Sequence, residues 1–212
     1  MRIPTVSTLL LMVASAHGQE SITYLSCLSV PSGGSQAVAS DYWLAQGFRT
    51  GTNASPYALE SVELLMADAS GTPGSLTVSL YDANSDFFPA QCLWTLSGSL
   101  NPVAAGVYGY TASGVVLAPR SFYFVVASGS LPSSTGSYAW QYTKNMVNPP
   151  FQRIGGWAWG YTLSSADGLV WGRNAPPGLP KFAVTATPVP EPSDLALFGL
   201  CGLLALRKLK SQ

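Results

Sequence analysis

Charge is scarce in this chain. Lys, Arg, Asp and Glu make up 9% of its 212 residues and the formal net charge is zero, whereas a soluble domain carries roughly a quarter charged residues. The basic excess that marks a nucleic-acid binder is missing. Histidine is scarcer still. The single one is His17, inside the stretch that reads as an export signal. A Ser-His-Asp or Cys-His arrangement, or a His-ligated zinc site, is thereby excluded from the rest of the chain.

Cysteine is limited to three residues. Cys201 falls in an apolar run near the C-terminus, which leaves Cys27 and Cys92. In an exported chain they either form one disulfide, adding a few kcal/mol, or stay as thiols that act as small apolar side chains. Spacing does not decide between the two. Helical periodicity is absent from the middle of the chain, where Gly or Pro interrupts every candidate window. No apolar run reaches the roughly 20 residues of a full membrane span.

What the chain has is glycine, proline and aromatics: 21 Gly, 16 Pro, and 11% Phe, Trp and Tyr, with 47% hydrophobic residues overall. That hydrophobicity is too high for disorder. Strand signals recur with turn chemistry between them. They fall at Ser21–Leu28, Tyr42–Thr50, Tyr57–Ala67, Ser75–Leu80, Gln91–Ser97, Gly114–Leu117, Phe122–Ala127, Tyr138–Thr143, Gly156–Leu163 and Lys181–Ala186. Leu76, Val78 and Leu80 alternate strictly with Ser75, Thr77 and Ser79; Tyr57–Ala67 alternates with one slip of register. Pro31–Gly34 and Ala69–Gly74 read as loops. About ten short strands in one domain predict an all-β, jelly-roll-like β-sandwich over residues 19–187. Its eight acids and six bases leave a charge near −2, with no steering patch expected.

Two stretches could bind something. Trp140 shares a strand face with Tyr138 and Tyr142, and Trp157, Trp159 and Tyr161 share one on theirs. Flat rings stack on the apolar faces of sugars; the competing expectation is that they fill the core or pair across strands. Asp82-Ala83-Asn84-Ser85-Asp86 has oxygen donors at alternate positions, as a calcium loop does. It lacks the Gly and distal Glu of an EF-hand, so an Asx-rich turn is expected. Asp41, Glu60 and Asp167 are the acids that a glycosidase pair would draw on, and nothing in their spacing brings them together. No catalytic residue, metal site or cofactor is expected.

The two ends read as processing segments. Met1-Arg2, an apolar run over Ser7–Ala14 and small residues through Gly18 have the layout of a signal peptide over residues 1–18, a substrate for signal peptidase. Residues 188–212 hold a Pro-rich spacer, twelve nearly all-apolar residues over Leu195–Leu206, and the basic stop Arg207, Lys208 and Lys210. As a helix the apolar run would span about 18 Å, a short transmembrane helix whose reach the snorkelling bases extend. Those bases would keep the C-terminus cytoplasmic.

This tail, with Val189, Pro190, Glu191 and Pro192, then the apolar run, then the Arg207-Lys208 cluster, resembles the PEP-CTERM sorting signal. The resemblance implies cleavage by an exosortase-type membrane peptidase in a Gram-negative bacterium. It further implies an inner-membrane intermediate and a product at the cell surface or in an exopolysaccharide-rich biofilm matrix. Gln46-Gly47-Phe48-Arg49-Thr50-Gly51, Tyr57–Val62 and Gly71–Tyr81 resemble the choice-of-anchor R type of surface domain. That resemblance implies a β-sandwich surface module without an assigned activity. The expectation is an exported, non-enzymatic structural or adhesive protein; the alternative is a module that binds exopolysaccharide through its aromatic strands.

Overall fold

A computed structural model describes residues 20–144, 151–173 and 178–190. The described residues form fifteen strands: β1 (Ile22–Ser26), β2 (Gly34–Val38), β3 (Trp43–Arg49), β4 (Tyr57–Gly71), β5 (Leu76–Ala83), β6 (Pro89–Thr95), β7 (Ser97–Gly98), β8 (Gly106–Thr111), β9 (Val116–Leu117), β10 (Phe122–Gly129), β11 (Gly136–Thr143), β12 (Gln152–Arg153), β13 (Ala158–Ser165), β14 (Leu179–Pro180) and β15 (Phe182–Pro188). Every pairing is antiparallel. A ten-stranded sheet runs β12-β1-β15-β4-β11-β14, with β2, β7, β8 and β9 added at its sides, and a five-stranded sheet runs β13-β3-β10-β5-β6. The two share one apolar core drawn from both. This all-β arrangement is consistent with a β-sandwich.

The expected strands are present, and the slip in the fourth has a cause. Tyr57 and Leu59 are buried, then Val62, Leu64 and Met66. The inward set changes phase at Glu60-Ser61, where the pairing of β15 with β4 shifts register between Thr185 and Ala186. The slip is a β-bulge, in which one extra residue reverses which side chains face inward. Strand β4 also runs through the predicted Ala69–Gly74 loop as far as Gly71, because Gly136 and Ser137 of β11 supply pairing partners. Strands β2 and β8 were not expected. Their sequences, Gly-Ser-Gln-Ala-Val and Gly-Val-Tyr-Gly-Tyr-Thr, carry little apolar alternation, and their neighbours β11 and β4 impose the extended form.

The centre of the five-stranded sheet, at β10, is buried on both faces, which explains the unbroken apolar run of that strand. Tyr123, Val125 and Ala127 face the larger sheet. Phe124 and Val126 face outward, with Ala45 and Leu163, beneath Trp171. Trp171 sits on the connection after β13, which Ser164 and Gly172 tie back through a pair of backbone hydrogen bonds of 3.0 and 2.8 Å. Burial on both faces favours a continuous apolar run over alternation.

Both body cysteines are free thiols. Cys27 follows β1 in the larger sheet and is buried; Cys92 lies on β6 at the edge of the smaller sheet and is exposed. The candidate disulfide is therefore corrected: the sheets carry the two sulfurs to separate places. Burial pushes the Cys27 thiol up to about 11.

Candidate functional site

Trp140 and Trp157 are not on a sugar platform. Both are fully buried. Trp140 donates its Nε1 to the Lys181 carbonyl at 2.9 Å. Trp157 lies between the sheets, stacked on Tyr24 of the larger (4.7 Å, 14°) and on Phe48 of the smaller (5.8 Å, 4°), with Tyr57 edge-on at 5.1 Å. Trp159 is half-buried against Phe182, edge to face at 5.2 Å. Rings of this size hold most of the apolar area available for burial, so the core takes them first.

Tyr161 behaves differently. It is 45% exposed, and it does not share a face with Trp159. A bulge intervenes, since Trp159 pairs with Phe48 whereas Thr162 pairs with Gln46. The buried Gln46 pins this bulge. Its Nε2 donates to the Gly160 carbonyl at 3.1 Å and to the Gly47 carbonyl at 2.8 Å, while its Oε1 accepts from Thr162 Oγ1 at 2.6 Å. Only glycine fits at position 160, where a Cβ would come within 2.7 Å of the Gly47 carbonyl carbon. Tyr161 is thus turned to the outer face of the smaller sheet, where the Arg173 guanidinium lies 4.4 Å from its ring centroid and 5.6 Å from that of Phe88.

Beside Tyr161 stand Phe87 and Phe122, edge to face at 4.8 Å. They form a ridge between two open depressions. The larger, about 430 Å³, is lined by Asp82, Asn84, Phe87, Arg120, Ser121 and Phe122 among others, and its volume lies in the range of small-ligand sites. The smaller, about 260 Å³, is lined by Phe87, Phe122, Trp159, Gly160 and Tyr161. Sequence reasoning missed Phe87, Phe122 and Arg120. Two aromatics in Phe87-Phe88 at the end of a polar turn were the available signal.

The backbone of this groove is strained. Among the described residues, Phe87 (φ 61°) and Arg120 (φ 56°) are the non-glycine residues with positive φ, and both line the larger depression. The Asp82–Asp86 stretch is an Asx-type turn: Asn84 Oδ1 accepts from the Asp86 and Phe88 N–H groups, and the Phe87 N–H donates to the Asn84 carbonyl at 3.1 Å. Asp82 Oδ1 accepts from the Gln91 N–H at 2.7 Å. Across the groove, buried Thr50 clamps the Arg120 loop. Its Oγ1 donates to the Ala118 carbonyl at 2.6 Å and accepts from the Ser121 N–H at 2.9 Å. Arg49 Nε donates to the Arg120 carbonyl at 3.3 Å.

The acids considered for hydrolysis have separate surroundings. Asp41 accepts from the Ser133 N–H and hydroxyl, Glu60 from Thr187 Oγ1, and Asp167 from the Leu169 and Val170 N–H groups. These bonds hold the Asp41 and Asp167 carboxyls below the usual carboxylate range. Among the described residues no three of His, Cys, Asp and Glu are grouped as a metal would need.

Of the tail, Val189 donates its N–H to the Pro56 carbonyl at 2.8 Å and Pro190 is exposed. The expected signal peptide over residues 1–18, Glu191, Pro192 and the expected basic stop Arg207, Lys208 and Lys210 lie outside the described residues. Among those described, no helix is long and apolar enough to cross a membrane. No protein-family model matches the chain, and no curated protein matches its sequence. The class that fold and groove define is an all-β module with an open aromatic and arginine-bearing surface.

Proposed function

We propose that this is an exported, non-enzymatic surface protein whose jelly-roll-like body is a structural or adhesive element of an extracellular matrix. It would be delivered through a PEP-CTERM-type tail that an exosortase cuts. The observation that carries this reading is where strand β15 ends. Strand β15 runs between β1 and β4, pairs as far as Pro188 with Tyr57, and is followed by the Val189 hydrogen bond to Pro56. The pairing of β15 thus ends one residue before Val189-Pro190-Glu191-Pro192, and Val189 itself is tied to Pro56. A cut beyond Pro190 would remove none of the described strands and leave their ladders intact.

The experiment is the intact mass of protein extracted from the surface of expressing cells, compared with the precursor. A C-terminus between Pro190 and Ser193 is the expected product. An intact Gln212 terminus would overturn cleavage, and retention in the cytoplasm would overturn export.

A further inference from the structure

We propose that the groove around Phe87 and Phe122 binds an acidic polysaccharide, stacking a sugar ring on Phe87 and holding uronate carboxylates with Arg120, Arg49 and Arg173. The inference concerns the folded body alone and holds whether or not the tail is cut.

Three independent features meet here. The first is exposed aromatic surface. Phe87 is 41% exposed and Tyr161 45%, and neither belongs to the outer apolar cluster of this sheet, which takes in Phe88 and Trp171. They are held out instead, one by the Asn84 turn and one by the Gln46-pinned bulge.

The second is strain. A non-glycine residue in the left-handed region is strained and persists only where its surroundings over-determine it. Both such residues line one depression, and in both the strain aims a side chain: the Phe87 ring beside Phe122, and the Arg120 guanidinium at the rim. Glycine would meet the backbone requirement at either position without strain.

The third is charge, and it selects the occupant. The body contains six bases, and Arg49, Arg120 and Arg173 are on this face. All three are exposed, and none has a carboxylate partner among the described residues. Asp82 is the acid that lines the groove, with one oxygen already committed to Gln91; Asp86 lies in the adjoining turn. The Arg173 guanidinium, held over the Tyr161 ring, can still offer N–H donors to a bidentate carboxylate. Asn84 spends its Oδ1 on the turn, which leaves its amide N–H₂ to donate to a hydroxyl. A uronic acid ring presents what this surface complements: an apolar C–H face, hydroxyls and one carboxylate.

Affinity electrophoresis of the full-length chain in non-ionic detergent tests the proposal, in native gels containing polygalacturonate. Methyl-esterified polygalacturonate, which lacks only the charge, and poly-glutamate, which lacks the sugar, run in parallel. Retardation by polygalacturonate and weak or no retardation by the other two is expected. Phe87→Gly and Arg120→Gly keep the left-handed backbone and should each weaken binding about tenfold. Unchanged retardation in both variants, or none of the wild type by polygalacturonate, would overturn the site. Equal retardation by the esterified polymer would overturn the acidic class, and equal retardation by poly-glutamate would reduce it to nonspecific charge. If either glycine variant loses its thermal unfolding transition, Arg173→Gln decides, and unchanged binding there overturns the proposal. None of these failures bears on export or cleavage.

Discussion

Arg173 lies over Tyr161, 4.4 Å from the ring centroid, with Phe88 the next ring to the guanidinium at 5.6 Å. The contact joins the connection after β13 to the strand itself, next to Trp171, whose indole covers the outer apolar cluster. A double-mutant cycle with Arg173→Ala and Tyr161→Leu, read by chemical denaturation, should return a coupling of about 0.5–1 kcal/mol, the range of an exposed cation–π pair. A coupling of zero would mean that the stack contributes nothing to holding the connection.

Gln46 is the buried polar residue that shapes the groove. Substitution by Leu leaves Thr162 and the Gly160 carbonyl without its amide, so stability should fall by about 1–3 kcal/mol. The bulge would lose its register, and with it the outward placement of Tyr161. Full stability in Gln46→Leu, by urea denaturation, would show that the glycines alone maintain the bulge.

Trp157 and Tyr57 allow a paired test of the core. Trp157→Ala opens a cavity between the sheets and should cost about 3–5 kcal/mol, unfolding the chain instead of abolishing sugar binding in a folded one. The Tyr57 hydroxyl is buried with no hydrogen-bond partner among the described residues. Tyr57→Phe removes a desolvated polar group at little change of shape, so stability should hold or rise, by up to about 1 kcal/mol. A marked loss in Tyr57→Phe would reveal a partner for that hydroxyl.

The two body thiols should differ in reactivity. In a Cys201→Ser background, Cys92 should be alkylated under native conditions, while Cys27, buried and with its thiol held protonated up to about pH 11, should label only after denaturation. Intact mass without reduction should show no loss of two hydrogens. Such a loss would restore the disulfide.

Acid should destabilise the loops at Asp41 and Asp167. Their folded-state pKa values lie below the ordinary value of 3.8 because Ser133 and the Leu169 and Val170 N–H groups bond to the ionised forms. A lowered carboxylate pKa stabilises fully above the unfolded value and loses that contribution as pH falls through the folded one. Thermal unfolding of Asp41→Asn should therefore match wild type near pH 2 and fall below it near pH 6. The same deficit at both values would assign the effect to packing.

Much of this protein is readable along the chain because the causes are local. Alternation in Leu76–Leu80, apolar continuity in Phe122–Ala127 and the turn chemistry between them follow from side-chain period and backbone preference, and they place the strands. The Asn84 turn is local in the same way, and even the bulge in β4 shows as a broken alternation. What pairing and packing decided is which rings stay dry. Trp157 and Tyr161 sit on the same side of an ideal strand, yet one is sandwiched between Tyr24 and Phe48 and the other faces water. A single extra residue opposite Gly47 reverses the face, and both Gly47 and the Gln46 that pins the bulge are distant in sequence. The groove is equally non-local: Phe87, Arg120, Tyr161 and Arg173 come from four segments, and only the closing of two sheets on one core sets them side by side.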